Sequence, residues 1–257
     1  YEAPTDVVVT SPLYVVKETQ ASNGIGGAFP ARYFYERLIG STTGRGLFGF
    51  RTLRSIEGEA HFTETTRLQG WPYSGLPAFV AKWVLRPSST MPPISASPGF
   101  DPNLAPANYV TNTWAAKASP ACPSYMPCLS LHLVSSVQRS WELDGMELPS
   151  ITTTTPIEGI DAYGHVQSVT VATSDGFTKT TTNVYDTGAA NIGLWLLGRL
   201  TNSTVTMTHP DSNPAARTVT RRSVFTYKAT PPNQGFLETE EVEPDGAASE
   251  RLKTRYG

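Results

Sequence analysis

Cysteine is scarce. The chain has 2 in 257 residues, and neither has a His pair beside it, which leaves too few ligands for a four-coordinate zinc site. Long apolar runs are missing as well. No stretch reaches about 18 uncharged apolar residues, and the opening residues lack the basic-then-apolar pattern of a secretory leader, so no segment is expected to cross a membrane unaided. Excess charge of either sign is absent: 20 Lys and Arg oppose 22 Asp and Glu, for a net charge of -2. That balance offers no broad positive field for counterion release from a nucleic-acid backbone. No amphipathic stretch longer than about two helical turns is found, which argues against a helical bundle.

What is present is a β composition. Gly and Pro stand at 21 each while hydrophobic residues hold at 39%, so turns are frequent but a core remains. Short runs rich in Val, Thr, Tyr and Phe alternate with period two between Gly, Pro, Asn, Asp and Ser clusters. In Arg251-Leu252-Lys253-Thr254-Arg255-Tyr256 three cations alternate with Leu252, Thr254 and Tyr256, giving one wet face and one packing face. Leu129, Leu131 and Leu133 share a face in the same way, and the threonine runs Thr152 to Thr155 and Thr180 to Thr182 suit a pleated surface better than a helix. The chain opens at Tyr1 and stops at Gly257 inside a strand pattern, and is expected to be part of something longer.

Three regions are expected: an N-terminal β region over 1–86, a Pro/Ser-rich insertion or loop over 87–127, and a second β region over 128–257. In the first, Asn23-Gly24 favours the positive φ values of a hairpin turn, with a loop or bulge because the distance to Tyr33-Phe34-Tyr35 exceeds a minimal turn. Gly44-Arg45-Gly46-Leu47-Phe48-Gly49 matches G-x-G-x-x-G, but a strand pattern follows it instead of a helix, so Gly44, Gly46 and Gly49 read as positive-φ or close-packing turn positions and no cofactor is expected. Cys122 and Cys128 are spaced for a small disulfide if the chain is secreted, with free thiols the other reading. His61, His132, His165 and His209 are scattered, and the acids Glu238, Glu240, Glu241, Glu243 and Asp245 read as a solvated strand face before they read as a catalytic carboxylate pair.

A recurring unit is the most informative feature. Asp161-Ala162-Tyr163-Gly164-His165-Val166 leads through Asp175-Gly176 to Tyr185-Asp186 and then Gly198-Arg199-Leu200-Thr201; later Tyr227 precedes Gly235-Phe236-Leu237, and Asp245-Gly246 precedes a strand ending at Tyr256. Asp and Gly make a tight turn, a strand follows, and Tyr supplies a ring able to stack on its counterpart one unit along. Such units need neighbours to bury their faces.

These residues resemble the YD-repeat, or Rhs-repeat, family from Asp161 to Gly257, with an insertion at Thr187 to Leu197 that departs from a compact unit. Ser22 to Gly27, Tyr33 to Tyr35, Arg45 to Phe50 and Leu68 to Pro77 are similar to the region after the propeller in bacterial insecticidal toxin complex (Tc) B components and virulence-plasmid B proteins. The resemblance implies an all-β fold of antiparallel hairpins stacked into a curved sheet, as a segment of a β-shell. It also implies a secreted or cell-surface virulence protein without catalytic, cofactor or metal residues. The shell would enclose a toxic C-terminal cargo, and its partners would be the rest of the polypeptide, that cargo and toxin-complex subunits, with no contact to nucleic acid or membrane. The rival readings are an extracellular carbohydrate-binding module using Trp71, Tyr73, Trp83 and Trp114, and a hydrolase using the acids of 238–245.

Overall fold

A computed structural model describes residues 6–10, 12–58, 61–85, 104–118, 128–142, 144–210 and 218–257. The elements are almost all strands: β1 (Asp6–Val8), β2 (Glu18–Ser22), β3 (Ala28–Ser41), β4 (Leu47–Glu57), β5 (His61–Arg67), β6 (Pro77–Leu85), β7 (Leu104–Ala118) and β8 (Leu129–Ser140). There follow β9 (Ile151–Thr154), β10 (Ser168–Thr173), β11 (Thr178–Tyr185), the short helix α1 (Ala189–Gly193), β12 (Leu200–Thr208), β13 (Thr218–Tyr227), β14 (Leu237–Val242) and β15 (Leu252–Arg255). Hydrogen bonds join them antiparallel in chain order from β3 to β15, and both β1 and β2 pair with β3. The β composition expected from the alternation, and the antiparallel hairpins that the resemblance implies, are observed.

The chain divides into two compact units, one of residues 1–114 and 136–150, the other of residues 115–135 and 151–257. The division passes through β7 and β8, so each of these long strands contributes to both. The presence of β7 is itself a departure from the expected insertion. Within the Pro/Ser-rich stretch, Tyr109, Val110, Thr111, Thr113 and Trp114 are β-branched or aromatic and lie in β7, the first three of them paired in the ladder against β6. Residues 86–103 and 119–127, Cys122 among them, lie outside the described residues, and with Cys122 lies the expected bridge to Cys128.

In the first unit one sheet face is buried. Phe62, Ala81 and Trp83 form its core, with Ile56, Phe79 and Tyr109 packed against them. Tyr109 continues the stack to Trp141, centroids 5.4 Å apart. Period-two alternation places Arg54 and Glu64 on that same face, directly opposite each other in the β4–β5 ladder. Arg54 Nε donates to Glu64 Oε2 at 2.7 Å, and both side chains are less than a tenth exposed. Glu64 in turn pairs across to Ala81, whose small side chain leaves room for the carboxylate. Asn23 organises the β2–β3 turn, its Oδ1 accepting from the N–H groups of Ile25 and Gly27, with Gly24 and Gly26 at positive φ.

The second unit has far less core, with Ile160 its one buried large hydrophobic residue among those described. Its strands are matched by register instead. Thr154, Thr170, Thr180, Thr206 and Thr220 are successive cross-strand partners from β9 to β13, and hydroxyls meet at 3.1 Å between Thr170 and Thr180. Threonine pairs of this kind stabilise a sheet by about 0.2–1 kcal/mol each.

Removing one partner of a buried ion pair strands the other charge. Glu64→Ala is expected to destabilise the first unit by about 3–5 kcal/mol in denaturant unfolding, whereas Glu18→Ala, which breaks the exposed pair with Arg32, is expected to cost under about 1 kcal/mol.

Candidate functional site at the repeat joints

The repeat residues converge at the turns between successive strands. At the first joint, the Asp161 N–H donates to the His165 carbonyl at 2.9 Å. Its Oδ1 accepts from the Tyr163 and His165 N–H groups, and its Oδ2 lies 2.8 Å from His165 Nδ1. Burial opposes ionisation of Asp161, but these hydrogen bonds outweigh it and hold the carboxyl below the usual carboxylate range. Gly164 takes φ +89°, and a Cβ there would come within 3.2 Å of Ser130 Oγ, so both the backbone and the space call for glycine. The His165 ring stacks on Tyr185, centroids 4.7 Å apart, and the Tyr185 hydroxyl donates to the Val166 carbonyl at 3.3 Å.

The second joint repeats this arrangement with other residues. The Asp186 N–H donates to the Arg199 carbonyl at 2.8 Å, and Asp186 Oδ2 accepts from Arg199 Nη2 at 2.8 Å. The Arg199 guanidinium lies over the Tyr227 ring, 5.1 Å from its centroid. The Tyr227 hydroxyl then donates to the Leu200 carbonyl at 2.9 Å, and burial raises its pKa. Gly198 has φ +76°, and a Cβ on it would meet His165 Nε2 at 3.0 Å, so the two joints abut. The Thr187 to Leu197 insertion, which holds α1, loops out between Asp186 and Gly198 without separating them. Asp186 caps it, accepting from the Gly188 N–H and from Asn191 Nδ2. These two bonds, followed by the Arg199 charge, depress the Asp186 pKa.

Two further joints keep the backbone and change the side chains. Lys228 N–H donates to the Phe236 carbonyl and Leu68 N–H to the Leu76 carbonyl, both at 2.9 Å, with Gly235 and Gly75 at positive φ. The β5–β6 and β13–β14 loops are equal in length, each contains a cis X-Pro bond, Trp71–Pro72 and Pro231–Pro232, and each leads into a bulge. At the β5–β6 joint the indole of Trp114 replaces the tyrosine, donating to the Pro77 carbonyl at 2.9 Å, and Asn112 Nδ2 reaches the same oxygen. Asn183 Nδ2 likewise joins Tyr185 on the Val166 carbonyl. The shared element is Asn-x-aromatic, at Asn112/Trp114 and Asn183/Tyr185; sequence reading missed it because Trp stands for Tyr and Leu68 for Asp.

Other candidate residues go to separate tasks. Gly44, Gly46 and Gly49 all have positive φ; the first two form the β3–β4 turn, and Gly49 sits in β4 where the β3–β4 register shifts. Trp83 is core, and Trp71 is exposed with Arg45 4.4 Å over its ring. In the acidic stretch Glu241 pairs with Arg251 and Lys253, Asp245 with Arg222, and Glu240 accepts the Tyr256 hydroxyl. Among the described residues no three His, Cys, Asp or Glu side chains gather as a metal set, and no helix is long and apolar enough to cross a membrane.

Tyr227→Phe is expected to cost about 1 kcal/mol of unfolding free energy, and Tyr185→Phe less, because Asn183 remains on the Val166 carbonyl. Asp161 and Asp186 ionise more readily folded than unfolded. Their contribution is therefore complete above the usual carboxylate range near pH ~4 and is lost as the pH falls through the lowered folded values. Urea midpoints of the doubly substituted Asp161→Asn, Asp186→Asn protein are expected to fall less steeply below about pH 4 than those of the parent.

No protein-family model matches the sequence, and no curated protein matches it. Solved structures do. The crystal structure of TcdB2-TccC3 aligns at a TM-score of 0.65 and 10% identity over 88% of this chain. The same complex without its hypervariable C-terminal region aligns at 0.67 and 9% over 90%, and TcdB2-TccC3-Cdc42 at 0.66 and 10% over 90%. This chain spans 16% of the length of those chains. At such identity the likeness is one of fold: the antiparallel strand meander is an architecture also found in the TcdB2-TccC3 structures.

Proposed function

We propose that this chain is a non-enzymatic wall segment of a bacterial Rhs/Tc-type toxin, one part of a β-shell that encloses a toxic C-terminal cargo. The observation that carries the reading is the recurrent joint, in which a left-handed glycine turns the chain and, at three of the four joints described, a ring from a later strand reaches back to a carbonyl at or just before the start of the next one. Such a joint adds strands to a sheet without limit, which is what a wall requires. The likeness in fold to TcdB2-TccC3 over most of the chain supports it, as does the pairing of Glu241, Glu243 and Asp245 with neighbouring cations and of Glu240 with Tyr256. The partners of this segment are the remainder of its polypeptide, the enclosed cargo and other toxin-complex subunits, and its destination is outside the bacterial cell.

The test is electron microscopy and limited proteolysis of the complete gene product. A hollow particle is expected, within which the region C-terminal to this segment resists protease until the wall is unfolded. A solid particle, or a C-terminal region cut as fast as when expressed alone, would falsify the wall reading.

A further inference from the structure

The second unit carries a hollow that the joints do not use. On the sheet face opposite the threonine row, Val171, Lys179, Met207 and Val219 are successive cross-strand partners from β10 to β13. Inter-strand steps of about 4.8 Å make this row about 14 Å long. Phe177 and His209 pack edge to face at one side of it, centroids 4.3 Å apart. The hollow has a volume of about 590 Å³, within the range of small-molecule sites.

Its chemistry is one-sided. Phe177, Met207 and Val219 are 39%, 46% and 48% exposed, an apolar floor open to solvent. Among the described residues no carboxylate lines it, whereas Lys179 and Arg221 do. Among the described residues Arg221 has one ion pair, a loose contact with Glu243 at 3.8 Å, and Lys179 has none. The Lys179 stem can lie along the floor while its ammonium stays at the rim.

We propose that this hollow binds a single-chain anionic amphiphile of the fatty-acid class, its tail along the Val171–Met207–Val219 floor and its carboxylate against Lys179 and Arg221. An apolar tail alone would sit on any exposed hydrophobic patch; the two cations select the sign of the head group through charge-assisted hydrogen bonds. The proposal stands apart from the wall reading, since a free-standing module with this sheet would carry the same site.

Isothermal calorimetry of the chain with dodecanoate tests it, with dodecyltrimethylammonium and dodecyl maltoside as controls of equal tail length, all below micelle formation. Saturable binding is expected for dodecanoate and not for the controls. In the doubly substituted Lys179→Glu, Arg221→Glu protein it should weaken by about tenfold or more, with the unfolding temperature lowered by no more than a few degrees, because both positions are exposed and the Arg221–Glu243 contact is loose. Absence of saturable dodecanoate binding, equal binding of all three amphiphiles, or full affinity in the charge-reversed protein would each overturn the assignment.

Discussion

A backbone carbonyl left at the end of a ladder must find a donor, and much of this structure follows from how that need is met. At three joints that oxygen belongs to a residue that begins a strand, Leu200 of β12 and Pro77 of β6, or stands two residues ahead of one, Val166 before β10. Water is one partner for such an oxygen; a side chain is another, and buried carbonyls need one or the other. Here the donor comes from the neighbouring chain segment: Tyr185 for Val166, Tyr227 for Leu200, Trp114 for Pro77. Each bond ties one strand pair to the next at a site where the sheet would otherwise fray.

That arrangement explains why the side chains around it vary while the backbone does not. His165 stacks on Tyr185 and Arg199 lies over Tyr227; both present a flat, polar group to an aromatic face. Asp161 and Asp186 orient those groups and hold the turn at the same time. At the β13–β14 and β5–β6 joints Lys228 and Leu68 carry no carboxylate, yet the glycine, the bulge and the closing N–H to carbonyl bond persist. The second unit, with little core, depends on these joints and on matched threonine rows, whereas the first buries Phe62, Ala81 and Trp83 around the Arg54–Glu64 pair.

Much of this was legible in the residues. Period-two alternation marked several of the strands, those at 129–133, 203–207 and 252–256 among them, and the Asp/Gly and Tyr-Asp signals at 161–166, 185–186 and 198–199 fall at turns between strands, because turn chemistry is local and leaves a local trace. Strand β7 was less legible, since the prolines and serines around it dominated its composition and only Tyr109 to Trp114 carried strand character. The Asn112/Trp114 joint was hidden by a change of donor: an indole N–H and a phenol O–H satisfy a carbonyl equally well, but they do not look alike in a sequence.

Composition and spacing by themselves determined an antiparallel, hairpin-built chain with glycine at its turns, because φ preference and side-chain alternation act between near neighbours. Tertiary structure alone decided which carbonyl each aromatic donor reaches, that Arg54 and Glu64 share a buried face, and that Val171, Lys179, Met207 and Val219 line up in one row. Those outcomes depend on register between strands, and a slip of one residue would send every side chain to the other face.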